Sequence, residues 1–299
     1  MSSKVSIIIA TTGKESYFRQ CLDSALQQSH PDKEIIVIDN SCGKLEEYGI
    51  RQYAEVKIYS ENRNMTYCRS LNKGIEASSG DFILCLNDDA VLEKDFIAEA
   101  LKGFGRDPRI GMVSGRILRF DKKTLDSTGL FLTFSRTACE RGHGKPAAGR
   151  FESEGYVFGV SGAAAFYRRE MLEALKRNGE YLDEDFGFFY EDLDIAWRGQ
   201  NRGWKGYYMP AAVAYHLRGG TARPVAGHGK RLARRYLSDE LYFDLIKNRY
   251  LAMIKNDSLF GFLFSLPFII LYDLVGWGFI ILFRPRLIRK FFVWEKRRR

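Results

Sequence analysis

The chain opens with short, continuously apolar runs separated by segments of helical period. Val5-Ser-Ile-Ile-Ile-Ala10 and Glu34-Ile-Ile-Val-Ile-Asp39 have the length of strands, and between them Tyr17 to Gln28 reads as an amphipathic helix. The alternation continues with a strand over Val56–Ser60, a helix over Met65–Ala77 and a strand over Asp81–Asn87. A strand that is apolar on both faces must be covered on both. This order therefore predicts an α/β fold, a mainly parallel sheet with helices on both faces. Ligands of such sheets bind beyond the carboxyl ends of the strands. Thr11, Asp39 and the Asn87-Asp88-Asp89 cluster all fall there.

From about Ile110 the order changes. Met112–Phe120 and Phe131–Thr137 read as strands, followed by a Gly-rich, basic loop over Arg141–Arg150. Glu170–Asn178 and Glu191–Asn201 read as helices and Gly206–Tyr215 as a final strand. No repeat or low-complexity linker interrupts this body, so one catalytic domain is expected over residues 1–229, with a C-terminal helical region over 230–299.

Charge and composition sharpen the picture of the tail. The formal net charge is +9, yet residues 230–299 hold 15 basic and 6 acidic side chains, so the whole excess lies there. The same tail carries Leu259 to Phe283, 25 residues whose single ionisable group is Asp273. About twenty apolar residues suffice to cross a bilayer. Pro267, Gly276 and Gly278 interrupt the run and basic residues flank both of its ends. Both ends thus favour the cytoplasmic side, which suits a re-entrant or in-plane hairpin better than a single span. Membrane association through residues 255–299 is expected, an oligomer interface between copies of the chain being the alternative. Five scattered cysteines without a CxxC pair argue against a disulfide framework and suit a reducing compartment. The N-terminal apolar stretch is strand-sized rather than a signal-peptide core.

Three acidic clusters are candidates for chemistry. Asp88 and Asp89 at a strand end suit Mg²⁺ or Mn²⁺, hard cations that share their shell with water and substrate phosphates. An N-cap for the helix that follows Lys94 is the alternative. Asp39 can accept a hydrogen bond from a nucleobase or ribose, though turn chemistry explains Asp39-Asn40-Ser41 equally well. Glu191, Asp192 and Asp194 open a helix, where acidic residues are favoured by the macrodipole; alternatively one of them is a general base for an acceptor hydroxyl. The acidic and aromatic lead-in Asp183–Tyr190 suits a sugar-binding approach. His216 follows the last strand and gains interest only if the chain returns it to Asp89.

Taken in order, these segments resemble family 2 glycosyltransferases of the GT-A (Rossmann-like) fold. Ser6–Thr12 resembles the opening nucleotide-binding strand, Glu34–Asn40 the base-binding strand, and Asn64 with Asn72-x-Gly74 the family's Asn/Gly helix segment. Leu86-Asn-Asp-Asp89 resembles the metal motif, with Asn87 replacing the first Asp of the usual signature. Ser161–Arg169 resembles the acceptor-side loop, Tyr190–Arg198 the catalytic acidic segment, and Ala214–Gly220 the segment whose His completes the metal site. The resemblance covers residues 4–221.

It implies Asp89 and His216 as metal ligands, with Thr11, Asp39, Asn64, Asn72 and Asp88 around the nucleotide sugar. It implies Asp192 as general base with Glu191 as its partner, and Gly162, Ala163, Trp197 and Arg198 around the acceptor. The expected reaction is an inverting, metal-dependent transfer from a dTDP- or UDP-sugar, dTDP-rhamnose among them, to a lipid-linked or other glycan. The expected setting is the cytoplasmic face of a bacterial plasma membrane, in polysaccharide synthesis. A metal-dependent nucleotidyltransferase is the rival enzyme, but Ala10–Lys14 is a poor version of its Gly-rich loop. Nucleic acid is not an expected partner, because the basic tail brackets an apolar run.

Overall fold

The computed structural model describes residues 3–13, 15–42, 45, 55–61, 65–149, 151–217 and 237–291. The first half comprises β1 (Val5–Thr11), α1 (Glu15–Leu26), β2 (Lys33–Asp39), β3 (Val56–Ser60), α2 (Tyr67–Glu76) and β4 (Phe82–Asn87). Next come β5 (Ala90–Leu92), α3 (Phe96–Phe104), β6 (Ile110–Arg119), β7 (Leu125–Ser127), β8 (Leu130–Leu132) and β9 (Ala138–Glu140). The rest is β10 (Gly155–Val157), β11 (Ala164–Arg168), α4 (Arg169–Leu175), α5 (Glu191–Asn201), β12 (Lys205–His216), α6 (Asp239–Asn256) and α7 (Leu259–Phe283).

The main sheet runs β10-β12-β6-β11-β4-β1-β2-β3, with β5 on β12 and β7 on β6. Strands β4, β1, β2 and β3 are parallel, and β6 and β12 are parallel to each other. Strand β11 lies antiparallel between β4 and β6. The apolar continuity of β1 has the expected cause. Ile7 and Ile9 pack with Phe18 and Leu22 of α1 and Phe96 of α3 on one face, whereas Ile8 packs with Leu71 and Ile75 of α2 on the other. Gly74 permits that second contact, since a Cβ there would lie 2.3 Å from Ile8 Cγ2.

Three expectations change. Ser161–Arg169 is only partly a loop: Ala164–Arg168 is strand β11, with Phe166 and Tyr167 buried in the cores on opposite faces of the sheet. Phe131–Thr137 is not one strand but the start of a hairpin, β8 paired with β9, which turns through residues 133–137. Helix α7 runs unbroken through Pro267, Gly276 and Gly278, so the hairpin is made with α6 rather than within the apolar run.

The boundary expected near Gly229 lies outside the described residues, and α6 beyond it is fastened to the catalytic body. Leu251 and Ala252 join the core that contains α5, and Asn256 Nδ2 donates to Asp194 Oδ1 at 2.8 Å. Helix α7 then returns antiparallel along α6, fixed by Arg249–Asp273, by Trp277 Nε1 donating to the Tyr250 hydroxyl (2.9 Å), and by Arg284–Asp239 (2.8 Å). Its outer face, including Leu263, Leu271, Leu274 and Phe283, is exposed. Among the described residues it is the one helix long and apolar enough to cross a membrane.

Candidate active site

A cleft of about 520 Å³ opens at the carboxyl ends of β1, β2 and β4, as expected for this topology. One wall of it starts at Thr11, the last residue of β1. Thr11 Oγ1 donates to Asp88 Oδ2 at 2.8 Å and accepts from Gly13 N at 3.1 Å, tying the turn after β1 to the turn after β4. Asn40 and Thr66 line the same side. Tyr67, at the start of α2, donates to Asn87 Oδ1 at 2.6 Å. Asn87 thereby serves as an acceptor for a neighbour, a role open to an amide that a metal-ligand assignment would not require.

Asp88 and Asp89 occupy the turn between β4 and β5, whereas α3 begins only at Phe96 after Asp95. The N-cap alternative for Asp89 is excluded by that spacing. Strand β12 returns His216 to this turn, pairing it with Ala90. His216 Nε2 lies 3.2 Å from Asp89 Oδ1, and Nδ1 lies 2.9 Å from Oδ2 of the fully buried Asp126. Burial works against a charged imidazole, but hydrogen bonds to Asp126 and Asp89 outweigh it and lift the pKa to about 9.

Among the described residues no three His, Cys, Asp or Glu side chains converge on a ready-made metal centre. The donor set still fits a Mg²⁺ or Mn²⁺ ion held partly by substrate. Asp89 and His216 can supply two protein ligands, with Asp126 orienting the imidazole as carboxylates behind metal-binding histidines do.

The opposite wall is carried by the start of α5. Gly162 N donates to Asp192 Oδ2 at 3.0 Å, and a Cβ on Gly162 would sit 3.3 Å from Glu191 Oε1 and 3.4 Å from Asp192 Oδ2. Gly162 is thus the residue against which both carboxylates close. Glu191 is buried beside Asp192. Burial foremost, then the Asp192 charge, raises its pKa to about 8, so it is protonated at neutral pH. Two adjacent carboxyl groups with environments this different suit different proton states, the arrangement that acid–base chemistry uses.

The lead-in to α5 is strained. Phe189 (φ 69°) and Tyr190 (φ 70°) are both left-handed, and Tyr190 offers no side-chain cap. Asn248 of α6 holds this segment, its amide lying 2.6–2.7 Å from the carbonyl oxygens of Phe186, Phe188 and Phe189. Leu241 and Asp244 of the same helix line the cleft beside Phe188 and Phe189.

The cleft brings together Thr11, Asp88, Asp89, Gly162, Ala163, Glu191, Asp192 and His216. Other expected site residues lie elsewhere. Arg198 is buried and spends its guanidinium on Asp194 (2.8 Å), Leu175 O (2.8 Å) and Tyr181 O (2.9 Å), which leaves it no reach to an acceptor. Trp197 is buried in the core with the Arg136 guanidinium over its ring. Asn72 accepts from Leu182 N (2.8 Å) and donates to Leu182 O (2.7 Å), fixing a loop rather than a ligand. Asp39 is buried and accepts from Ser41 N at 2.7 Å, the turn geometry foreseen as its alternative, and only its neighbour Asn40 lines the cleft. Asn64 lies outside the described residues.

Sequence reasoning missed Asp126, Glu140, Tyr67 and the α6 residues. Glu140 accepts from Ser161 Oγ at 3.0 Å at the cleft's edge. Nothing in Asp126-Ser-Thr-Gly129 distinguishes a carboxylate that meets His216 from one in a turn, because 90 residues separate the pair.

Residues 6–176 match the model of glycosyl transferase family 2. Curated relatives include the poly-β-1,6-N-acetyl-D-glucosamine synthases of Staphylococcus epidermidis (25% identical over 217 residues, 71% of this chain and 50% of the relative) and of Staphylococcus aureus strain COL (24%, with the same coverage). The chain thus spans about half the length of the curated relatives it matches. Among solved structures, residues 1–349 of S. aureus TarS in complex with UDP-GlcNAc superpose with a TM-score of 0.57 (16% identity, covering 85% of this chain and 68% of that one). The mannosyltransferase PcManGT of Pyrobaculum calidifontis, in complex with GDP-Man and Mn²⁺, gives 0.54 (17%, covering 95% and 82%). GalNAc-T7 with UDP, GalNAc and Mn²⁺ gives 0.58 (15%, covering 78% and 47%). With the cleft at the strand ends and the family match over more than half its length, the chain belongs to glycosyl transferase family 2 and is a glycosyltransferase of GT-A fold.

Proposed function

We propose that the chain transfers a sugar from a pyrimidine nucleoside diphosphate, UDP or dTDP, to a hydroxyl of a membrane-presented glycan, with inversion at the anomeric carbon. The carrying observation is the division of one cleft into two walls, Thr11, Asp88, Asp89 and His216 on one and Glu191, Asp192 and Gly162 on the other. A divalent ion held by Asp89 and His216 would supply charge neutralisation to the departing diphosphate. Thr11 and Asp88 lock the turn against which the diphosphate is received, with Asp39 supporting Asn40 near the base. Asp192, aimed by the Gly162 amide, takes the proton of the acceptor hydroxyl as that oxygen attacks. Glu191, protonated, can donate a hydrogen bond to an acceptor oxygen without adding a second charge. A single displacement from the face opposite the diphosphate inverts configuration. dTDP-rhamnose is the finer donor reading, on the motif style alone.

The setting we propose is the cytoplasmic surface of a bacterial plasma membrane. Helix α7 exposes a continuous apolar face while Asp273, its one ionisable group, is paired with Arg249 of α6. Since α6 is bonded to the catalytic body and α7 lies along it, α7 suits lying in the membrane plane rather than crossing it.

A thermal-shift screen of UDP, dTDP, GDP and CDP with Mn²⁺ or EDTA tests the donor reading. Metal-dependent stabilisation by one diphosphate, lost in Asp89→Ala and kept in an Asp192→Asn variant that no longer transfers, is expected. No stabilisation by any diphosphate, in detergent and in lipid nanodiscs alike, or a product that retains the donor's configuration, would overturn it.

A further inference from the structure

A second groove adjoins the catalytic cleft. It has a volume of about 520 Å³ and shares Glu140 with the cleft, on the side where Glu140 accepts from Ser161 beside Gly162 and Asp192. That is the acceptor side, away from Thr11 and Asn40. Beside Glu140 its lining is basic and aromatic, with Arg141, His143, Lys145, Phe131 and Phe151. Arg141 is held in place, donating to Thr128 Oγ1 at 3.0 Å and stacking 5.2 Å from the ring centroids of both Phe151 and Tyr208. Arg119 stands behind the groove with Nη2 3.1 Å from His143 Nε2. Because arginine only donates, His143 Nε2 is the acceptor there and its Nδ1–H points to Asp126 O at 2.9 Å. The imidazole is therefore oriented, with the Arg119 guanidinium at Nε2 and the Asp126 carboxylate 3.5 Å from Nδ1.

The groove also has a direction. Its floor includes β8 and β9, and the tip of that hairpin rests on both C-terminal helices: Phe134 stacks on Phe268 of the apolar α7 at 5.2 Å, and Arg249 of α6 donates to Ser135 O at 2.6 Å. The hairpin thus runs from α7 to Glu140.

We propose that this groove is an anion-binding subsite of the acceptor. It would receive a phosphate or carboxylate carried a sugar or more away from the hydroxyl that reacts, with Arg141 and Lys145 as its cationic contacts and Phe131 as an apolar platform. Guanidinium and ammonium groups recognise such oxygens by charge-assisted hydrogen bonds. The acceptor role of the groove rests on the glycosyltransfer reading, but the anion site itself does not.

The test uses the full chain in detergent, with the nucleotide side saturated with the stabilising diphosphate and Mn²⁺. Two soluble probes are titrated, a ten-carbon isoprenyl diphosphate against its alcohol and glucuronic acid against glucose. Wild type is expected to bind one anionic probe at least about tenfold tighter than its uncharged counterpart, more weakly as salt rises. The preference should fall at least about fivefold in Lys145→Glu, and likewise in Arg141→Met, which keeps the stacked stem. Melting temperature and diphosphate binding should stay unchanged in Lys145→Glu, whose side chain is exposed. Preference for the diphosphate would assign a lipid phosphate, and preference for glucuronate an acidic sugar. Equal binding of charged and uncharged probes, or a preference that survives both substitutions, overturns the proposal. If no nucleoside diphosphate binds at all, the donor reading fails instead, and the glucuronate titration still reads this groove.

Discussion

Asn248 of α6 donates to the carbonyl oxygen of Phe189 at 2.7 Å, two residues before Glu191. A helix beyond the family-matched residues thus fixes the backbone from which the acidic pair of the cleft emerges. Asn248→Ala removes the amide shared by the carbonyls of Phe186, Phe188 and Phe189 and should cost about 1–3 kcal/mol of stability. It should also lower kcat more than the KM for the donor, because the wall of Thr11, Asp88, Asp89 and His216 is untouched. Chemical denaturation and steady-state kinetics check both, and unchanged kcat would show that the segment keeps its shape unaided.

Glu191 gives the protein a pH signature. Its folded pKa, about 8, lies above the ordinary carboxyl value of 4.5. Between these values the unfolded chain has released a proton that the folded chain retains, so this group lowers stability progressively as pH rises from about 4.5 to about 8. Glu191→Gln should flatten that slope, melting near wild type in acid and several degrees above it at about pH 9. Parallel melting curves across pH for both proteins would contradict the assignment.

Asp126 should matter without touching substrate. Asp126→Asn keeps the shape but weakens the hold on His216 Nδ1, and a loss of about 10–100-fold in Mn²⁺ affinity is expected. Mn²⁺ titration of diphosphate-induced stabilisation measures it. Affinity within twofold of wild type would remove His216 from the metal's ligands.

Leu271 and Leu274 are 64% and 68% exposed on the outer face of α7. Leu271→Asp with Leu274→Asp should release the protein from anionic vesicles in flotation while leaving its melting temperature within about 1 °C, since neither side chain supports the core. Retention on vesicles would move the contact elsewhere. A wild-type dimer in detergent-free buffer that these changes dissociate would assign the face to a second copy.

The fold was legible wherever a local pattern reports a global contact. Strands β1, β2 and β4 are apolar because both faces are covered, and that is written in each hexapeptide. The placement of Asp89 and Asp192 on the cleft was legible because strand ends and helix starts can be read locally. Strand β11 was hidden by the small residues Gly162–Ala165, which read as a loop until Phe166 and Tyr167 are seen in opposite cores. Trp197 and Arg198 were misplaced for the converse reason. A helix's first turn can face a cleft while its second faces the core, and only the packed neighbours Asp194, Leu175 and Tyr181 show where Arg198 points.

The antiparallel course of β11 has a consequence for how this scaffold can change. Parallel neighbours such as β4 deliver their last residues to the cleft, but β11 delivers what precedes its first, Ser161–Ala163. The two walls of the cleft are therefore written in separate stretches of chain, one leaving the sheet and one entering it. On the proposed assignment of these walls, substitutions or insertions before Ser161 would reshape the acceptor side while the turns after β1 and β4, locked by Thr11 and Asp88, stay as they are. On that assignment acceptor choice is a replaceable module of this framework, and the donor half a fixed one.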